Sequence, residues 1–293
     1  MAKGDGLVSV IIPTFNARAL LPPLLESLRA QSLWPFELLV VDSSSPDGTA
    51  ALARKEGARV LTIPRESFNH GTTRTLAARR ARGEFLFFLT QDARPIDHKA
   101  LENLLIPLAE DSRLALSYGR QLASGDPLAS LDRLFNYPPR SRKVFWQDVA
   151  RLGLRAVFVS NSFACYRRKA LQEVGWFPET LLAEDVLVAA KLLRRGYGIA
   201  YVAEARVWHG HRFSLRQEWR RYSLLGRFHA QNSWLLEEFG RAEGEGWRYF
   251  RFGLRFLAQR APGLLPCFLL RTACRYLAYQ YGYRQERLKS RKR

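Results

Sequence analysis

Several things are scarce in this 293-residue chain, and each scarcity removes a class of protein. Its three cysteines, Cys165, Cys267 and Cys274, form no Cys-x-x-Cys pair and no disulfide spacing. That excludes a disulfide-stapled scaffold and a zinc finger, and leaves buried thiols in a reducing compartment as the expectation. Long apolar runs are absent too: nothing approaches the roughly 18 apolar residues that a spanning helix needs. The first apolar segment, Leu7 to Pro13, is short, β-branched and preceded by Asp5, so it reads as a strand rather than a secretory signal. The expected location is therefore cytoplasmic, free or attached to a membrane from one side. Negative charge is the third scarcity. Asp and Glu number 27 against 46 Lys and Arg, a net +19 that implies an anionic partner: nucleic acid, a phospholipid surface or phosphorylated small molecules.

Glycine is missing where nucleotide-binding folds usually need it. The first strand-to-helix turn, Pro13 to Arg18, holds none, which argues against a dinucleotide fingerprint, and no GxxxxGK run exists for a phosphate-binding loop. A G-x-S-x-G hydrolase elbow is also absent. A diphosphate would have to be neutralised by a metal ion and by side chains.

What is present is an alternation of strand and helix. Apolar residues make up 47% of the chain, enough for a sizeable core. Leu7–Ile12, Leu38–Val41, Val60–Ile63 and Phe85–Leu89 are short apolar runs typical of strands buried on both faces. Between them, Leu20 to Leu28, Thr49 to Glu56 and Arg74 to Ala81 read as helices. Such alternation predicts an α/β fold, a mostly parallel sheet with helices on both faces. Further on, a helix is expected at Lys99–Leu108, strands at Leu114–Tyr118 and Val157–Tyr166, and a long surface loop at Gly125–Arg142. Glu184–Arg195 reads as a helix with acids in its first turn, bases in its last and Gly196 as its cap. Beyond Leu215 aromatic residues alternate with arginine, and Arg248, Arg251 and Arg255 fall on one helical face. A helical extension over 216–293 is expected, suited either to an anionic membrane surface or to ordinary packing on the core.

Three acids stand at chemically useful places. Asp42 and Asp92 each end an apolar strand, at the rim where α/β sheets bind ligands. Asp185 opens a helix. A hard carboxylate such as Asp92 suits a divalent cation, although acids after strands also serve simply as turn formers. His209 and His211 lie two residues apart and would share one side of a strand, as metal ligands or as a surface pair.

Val8–Asn16, Val40–Thr49, Thr90-Gln91-Asp92 and Glu184-Asp185, in that order and spacing, resemble the landmarks of family 2 glycosyltransferases with the GT-A fold. The resemblance spans residues 7 to 215, with a nucleotide-binding part at 1–95 and an acceptor-binding part at 96–215. Phe68 to Arg74 and Thr90 to Ala93 are similar to the rhamnosyltransferase branch. Thr72 and Thr75 depart from the glycine and asparagine usual there, and Thr90 replaces the first acid of the common Asp-x-Asp. The missing acid fits a donor without a ribose 2′-hydroxyl. Gln217 to Arg221 carries only half of the signature of processive enzymes, which implies single-residue addition.

The resemblance implies an inverting glycosyltransferase in cell-surface polysaccharide synthesis. Asp185 would be the catalytic base, with Glu184 as its structural neighbour. Asp92 would hold Mg²⁺ or Mn²⁺, and His211 would complete that shell or touch the diphosphate. Pro13, Thr14, Asn16, Asp42, Arg74, Gln91 and Asp92 would bind the donor, with Asp42 accepting the N3 hydrogen of a pyrimidine. The implied partners are a nucleotide-sugar donor (dTDP-rhamnose, with a UDP-sugar as the alternative), a lipid-linked glycan acceptor and an anionic membrane surface. A basic nucleic-acid-binding protein is the remote alternative. No nucleic-acid motif supports it.

Overall fold

The computed structural model describes residues 8–122, 127–180, 182–210 and 213–290. The chain runs β1 (Val8–Thr14), α1 (Leu21–Arg29), β2 (Glu37–Asp42), α2 (Thr49–Lys55), β3 (Arg59–Thr62), α3 (His70–Arg80), β4 (Phe85–Leu89) and β5 (Arg94–Pro95). Next come α4 (Ala100–Glu110), β6 (Leu114–Leu122), α5 (Pro127–Asn136), β7 (Arg142–Val144), α6 (Val149–Leu152), β8 (Phe163–Arg167) and α7 (Arg168–Glu173). It continues through α8 (Glu184–Arg194), β9 (Gly198–Trp208), α9 (Leu215–Gln231), α10 (Ser233–Phe239), α11 (Ala242–Arg260) and α12 (Leu265–Ser290).

Among the described residues the strands form one sheet in the order β3-β2-β1-β4-β8-β6-β9-β5, with β7 on β9. The first four pair in parallel, as the alternation predicted. Beyond β4 the sheet becomes mixed: β8 lies antiparallel between β4 and β6, while β6 and β9 are parallel. "Mostly parallel" therefore holds for the first hundred residues and not for the whole sheet.

Strand alternation splits the core between the two faces. Ile11, Leu39, Val41, Leu86 and Phe88 face α3 and α8, whereas Val10, Ile12, Val40, Phe87 and Leu89 face α1 and α4. All five side chains of β4 are buried. At roughly 1.5–3 kcal/mol for each large apolar side chain, this strand anchors the rim that follows it.

The long loop expected at Gly125–Arg142 is instead largely helix α5, which ends at Asn136. Residues 123–126 lie outside the described residues. Pro127 is the first helical residue, where its missing N–H costs nothing, and Leu131 is fully buried against α11 and α12. Proline and polar residues suggested a loop, but tertiary burial decided otherwise. The strand expected from Val157 starts only at Phe163, because residues 153–156 form a short 3₁₀ turn. The helix from Glu184 and the change of character near Leu215 stand where expected.

Candidate active site

The sheet's C-terminal rim gathers the predicted acids. In β1–β2 register Thr14 is opposite Asp42, and the Thr14 hydroxyl donates to Asp42 Oδ1 at 3.0 Å. Asp42 also accepts from the Ser45 hydroxyl at 2.6 Å and the Ser45 N–H at 2.8 Å, and it is 1% exposed. Three donors leave this carboxylate one of about four acceptor positions. Asn16 and Ser44, in the turns after β1 and β2, both have positive φ. Strain of that kind persists where the surroundings impose it, often at ligand sites. Pro13 is half-buried at the end of β1 and Asn16 is exposed, so both flank the same opening. The Arg65 guanidinium lies 4.0 Å above the Phe15 ring beside them. Neither had a sequence signal, because cation–π stacking over 50 residues leaves no pattern.

Gln91 is already engaged. Its Oε1 accepts from the Phe15 N–H at 2.8 Å, and its Nε2 donates to the Phe15 carbonyl at 3.1 Å. The side chain thus stitches the turn after β1 to the turn after β4. Asp92 follows directly, with Oδ1 3.5 Å from His209 Nε2. His209 Nδ1 lies 2.8 Å from Gln121 Oε1 and 3.3 Å from Arg133 Nη2, and these neighbours hold the ring with Nε2 toward Asp92. Metal-binding histidines are commonly oriented by outer partners of this kind. His211 falls outside the described residues.

Among the described residues no group of three His, Cys, Asp or Glu could hold a metal. A single carboxylate with one imidazole nitrogen still fits Mg²⁺ or Mn²⁺, because such ions take many of their ligands from phosphates and water.

The second acid cluster sits at the start of α8. Ala183 adopts a left-handed conformation, φ 60°, immediately before it. Glu184 is 5% exposed and lies 2.8 Å from Arg74 Nη1. Its Oε1 also accepts from Asn161 Nδ2 at 2.9 Å. Arg74 is buried and committed to Glu184 and to the His70 carbonyl at 3.2 Å, so its guanidinium is not held out toward the donor turns. Asp185 Oδ2 accepts from the Asn161 N–H at 3.1 Å, and Oδ1 from the Val186 N–H at 2.9 Å.

The two neighbours titrate apart. Burial acts to raise the Glu184 carboxyl, but Arg74 and Asn161 outweigh it and hold it below its ordinary value. Burial, with the Glu184 charge next to it, pushes Asp185 up to about 7. Adjacent carboxylates driven apart in this way divide the roles of fixed charge and titrating group.

Hydrogen bonds join the clusters. Gln121, which orients His209, donates through Nε2 to the Ser160 hydroxyl at 2.9 Å, and the next residue, Asn161, holds both Glu184 and Asp185. Sequence reasoning missed Gln121, Ser160 and Asn161, which sit in or beside strands where nothing in their spacing marks them.

The segment Phe68–Arg74 becomes intelligible here. A side chain at Gly71 would put its Cβ 1.7 Å from the Pro178 carbonyl oxygen, so only glycine allows this approach. The Thr75 hydroxyl accepts from the Phe177 N–H at 3.1 Å. With Arg74 on Glu184, α3 buttresses the loop and helix that present Asp185.

Two acid clusters beside the rim of a mixed sheet with helices on its faces fit the GT-A class of fold. The description "Glycosyl transferase family 2" matches residues 9–175, and "Glycosyl transferase family group 2" matches 143–281. The O-antigen chain rhamnosyltransferase RfbN of Salmonella typhimurium is 42% identical over 94% of this chain and 89% of its own length. WbaN of Salmonella anatum, of the same description, is 41% identical over 94% and 88%. Among solved structures, the mannosyltransferase PcManGT from Pyrobaculum calidifontis, in complex with GDP-Man and Mn²⁺, aligns with a TM-score of 0.62. It covers 98% of this chain and 85% of its own at 19% identity, a likeness of fold. The chain belongs to glycosyltransferase family 2, and within that family it is rhamnosyltransferase-like.

Proposed function

We propose that the protein moves L-rhamnose from dTDP-rhamnose, with inversion, onto a lipid-linked glycan in cell-surface polysaccharide synthesis, working in the cytoplasm at the inner face of the membrane. The observation that carries the mechanism is the split pair Glu184 and Asp185. Inverting transfer needs a base to take the acceptor hydroxyl's proton as the hydroxyl oxygen attacks the anomeric carbon. A carboxyl with its midpoint near 7 is matched to that task, and Glu184, fixed by Arg74, is not free for it. Arg74 is thus assigned to positioning rather than to donor contact.

Asp92 and His209 are the residues that would hold Mg²⁺ or Mn²⁺, which when bound offsets the charge of the departing diphosphate. His211, expected in the same shell, lies outside the described residues. Asp42, with its remaining acceptor position, suits the N3 hydrogen of a pyrimidine, and Phe15 with Arg65 offers a flat surface beside it. Pro13, Thr14 and Asn16 shape the opening, while Gln91 holds it in place. The Thr90 hydroxyl, at the position of the absent acid, is buried without a hydrogen-bond partner and so is not held out as a ribose contact. This favours a deoxyribose donor over the UDP-sugar alternative.

Among the described residues no helix is long and apolar enough to cross a membrane. Yet α12 exposes Leu270 (59%), Leu277 (57%), Tyr281 (47%) and Leu288 (55%), which share one helical face. Arg284 and Arg287 are exposed nearby. An apolar face edged by arginine suits the boundary of an anionic bilayer.

The test of the base is Asp185→Asn, which keeps size and removes basicity. The variant should fold and bind dTDP as the parent does, yet lose kcat by about 10²–10⁴. Transfer within a few-fold of the parent would remove Asp185 from the mechanism. In the parent, kcat should rise with pH through about 7 as Asp185 ionises.

A further inference from the structure

The side chains of Phe68 and His70 have no part in the chemistry described so far, although they open α3 beside the acids. His70, the first residue of α3, is exposed, and its Nδ1 lies 3.2 Å from Arg74 Nη1. An arginine has donors only, so Nδ1 must accept and the proton of the neutral ring sits on Nε2. The surroundings keep the ring neutral. Desolvation, then Arg74, with Arg221 of α9 adding to them, hold the imidazole below its ordinary pKa against the opposing pull of Glu184. Phe68, itself 38% exposed, meets the imidazole edge to face with ring centroids 5.0 Å apart. The ring is thus held on two sides, and among the described residues nothing accepts from Nε2. A fixed donor that the protein does not itself use is the kind of polar group that orients a bound ligand.

Position says which part of a ligand. The same Arg74 Nη1 meets Glu184 at 2.8 Å, so His70 stands one side chain away from the neighbour of Asp185. Five residues earlier, Arg65 lies over Phe15, at the surface proposed for the nucleobase. Five residues reach at most about 18 Å, the scale of an extended nucleoside diphosphate sugar. Residues 65–70 therefore run alongside such a donor, with Arg65 at its base end and His70 at the end nearest Asp185. The transferred sugar lies at that end, because its anomeric carbon must meet the oxygen that Asp185 deprotonates. A neutral N–H suits a sugar hydroxyl, whereas a diphosphate calls for the charge of a metal ion or a cation.

We propose that His70 is a specificity-determining contact for the transferred sugar, donating its Nε2–H to a ring hydroxyl. This rests on the reading of the protein as a transferase with a dTDP-rhamnose donor, and it assigns His70 to the sugar rather than to the nucleotide.

The test compares dTDP-rhamnose with dTDP, which lacks the sugar, by calorimetry on the full chain with Mg²⁺ and no acceptor. His70→Phe keeps a flat ring against Phe68 and removes the donor. It should weaken dTDP-rhamnose about tenfold, the effect of one lost hydrogen bond, and leave dTDP unchanged. His70→Gln, whose amide offers a donor near the place of Nε2, should recover most of that loss. Equal weakening of both ligands would move the contact to the phosphates or to the fold, and no weakening of either would remove His70 from the donor; each result overturns the proposal. The parent supplies a check that needs no stable variant. In nitrogen NMR of the histidine-labelled protein, the His70 ring should be the Nε2–H tautomer and should respond to dTDP-rhamnose and not to dTDP. The other tautomer, or an equal response to both ligands, overturns the contact as well. Tighter binding of UDP-GlcNAc than of dTDP-rhamnose by the parent would sink the donor reading instead, and the same comparison against UDP then judges His70.

Discussion

The nucleotide-binding part and the C-terminal helices solve the problem of charge in opposite ways. In residues 8–95 the interior is apolar, and the acids stand at the ends of strands, tied to hydroxyls and backbone N–H groups. In α9 and α12 a charged cluster lies inside. Glu218, 1% exposed, meets Arg271 at 2.8 Å and Arg275 at 2.6 Å, and Arg275 also reaches Asp132 of α5 at 3.0 Å. The leucines and tyrosines of α12 that would ordinarily fill a core face outward instead. An arrangement with charge within and apolar groups without is costly in water and favourable beside lipid. The contrast is what the proposed division of labour would require, a nucleotide held in the first part and a surface contacted by the second.

Breaking the charge pair that ties the first part to α8 should have the largest effect on stability. Arg74→Met would leave Glu184 buried and uncompensated, a loss of roughly 3–5 kcal/mol measurable by urea unfolding. Arg74 also helps keep Asp185 ionised through its charge, so the rise of kcat should move above 7 in a variant that removes the charge and still folds. Arg74→Lys keeps the charge and should leave the rise near 7; an unmoved profile in a folded Arg74→Met would make Arg74 purely structural. Stability gives an independent reading of Asp185. Its carboxyl is raised from 3.8 to about 7, so the native state favours the protonated form. That stabilisation is fully present below pH 3.8 and is lost as pH rises through 7. Asp185→Asn, which resembles the protonated acid, should thus gain on the parent in thermal scans from pH 4 to pH 7 and hold its lead above.

In the helical part, Glu218→Gln should cost about 3 kcal/mol, since Arg271 and Arg275 lose their shared acid while Asp132 remains for Arg275. Loosened α9 and α12 with unchanged dTDP affinity would confirm that the two parts are energetically distinct; hydrogen exchange would locate the loss. Asp42→Ala tests the other part and should weaken dTDP binding by roughly ten- to a hundredfold, equivalent to about 1.5–3 kcal/mol. Leu277→Ser should have the smallest effect on the isolated protein and a clear one on cosedimentation with anionic vesicles, about 1–2 kcal/mol of binding. Vesicle binding that ignores this change would place the lipid contact elsewhere.

The fold's first half was legible because buried strands give way to marked residues: Pro13 one residue before the end of β1, Asp42 at the end of β2, Thr90 after β4. Asp92 and the Glu184–Asp185 pair stand at strand and helix ends, where acids are common for structural reasons, and it was the family resemblance that gave them their expected roles. What surrounds them was not legible. Gln121 meets His209 across 88 residues of sequence and Thr75 meets Phe177 across 102, and contacts that distant leave no periodic trace. Helix α5 was hidden by the polar and proline-rich stretch Gly125–Arg142 in which it lies. In β9 a mostly small and apolar run, Gly198 to Val202, passes into alternating exposure, so neither strand pattern is sustained.

The close approach of Gly71 to Pro178 has a consequence for anyone who would recombine these enzymes. A cut near residue 95 looks like a natural seam between donor and acceptor parts, yet α3 lies before it and is keyed by Gly71, Arg74 and Thr75 into the chain between Phe177 and Glu184. A hybrid that takes its first 95 residues from a relative with a different α3 would inherit a side chain where a carbonyl must fit. The unit that can be exchanged is therefore discontinuous: α3 travels with the loop it supports, and the first 95 residues cannot be transplanted without disturbing the support of Asp185.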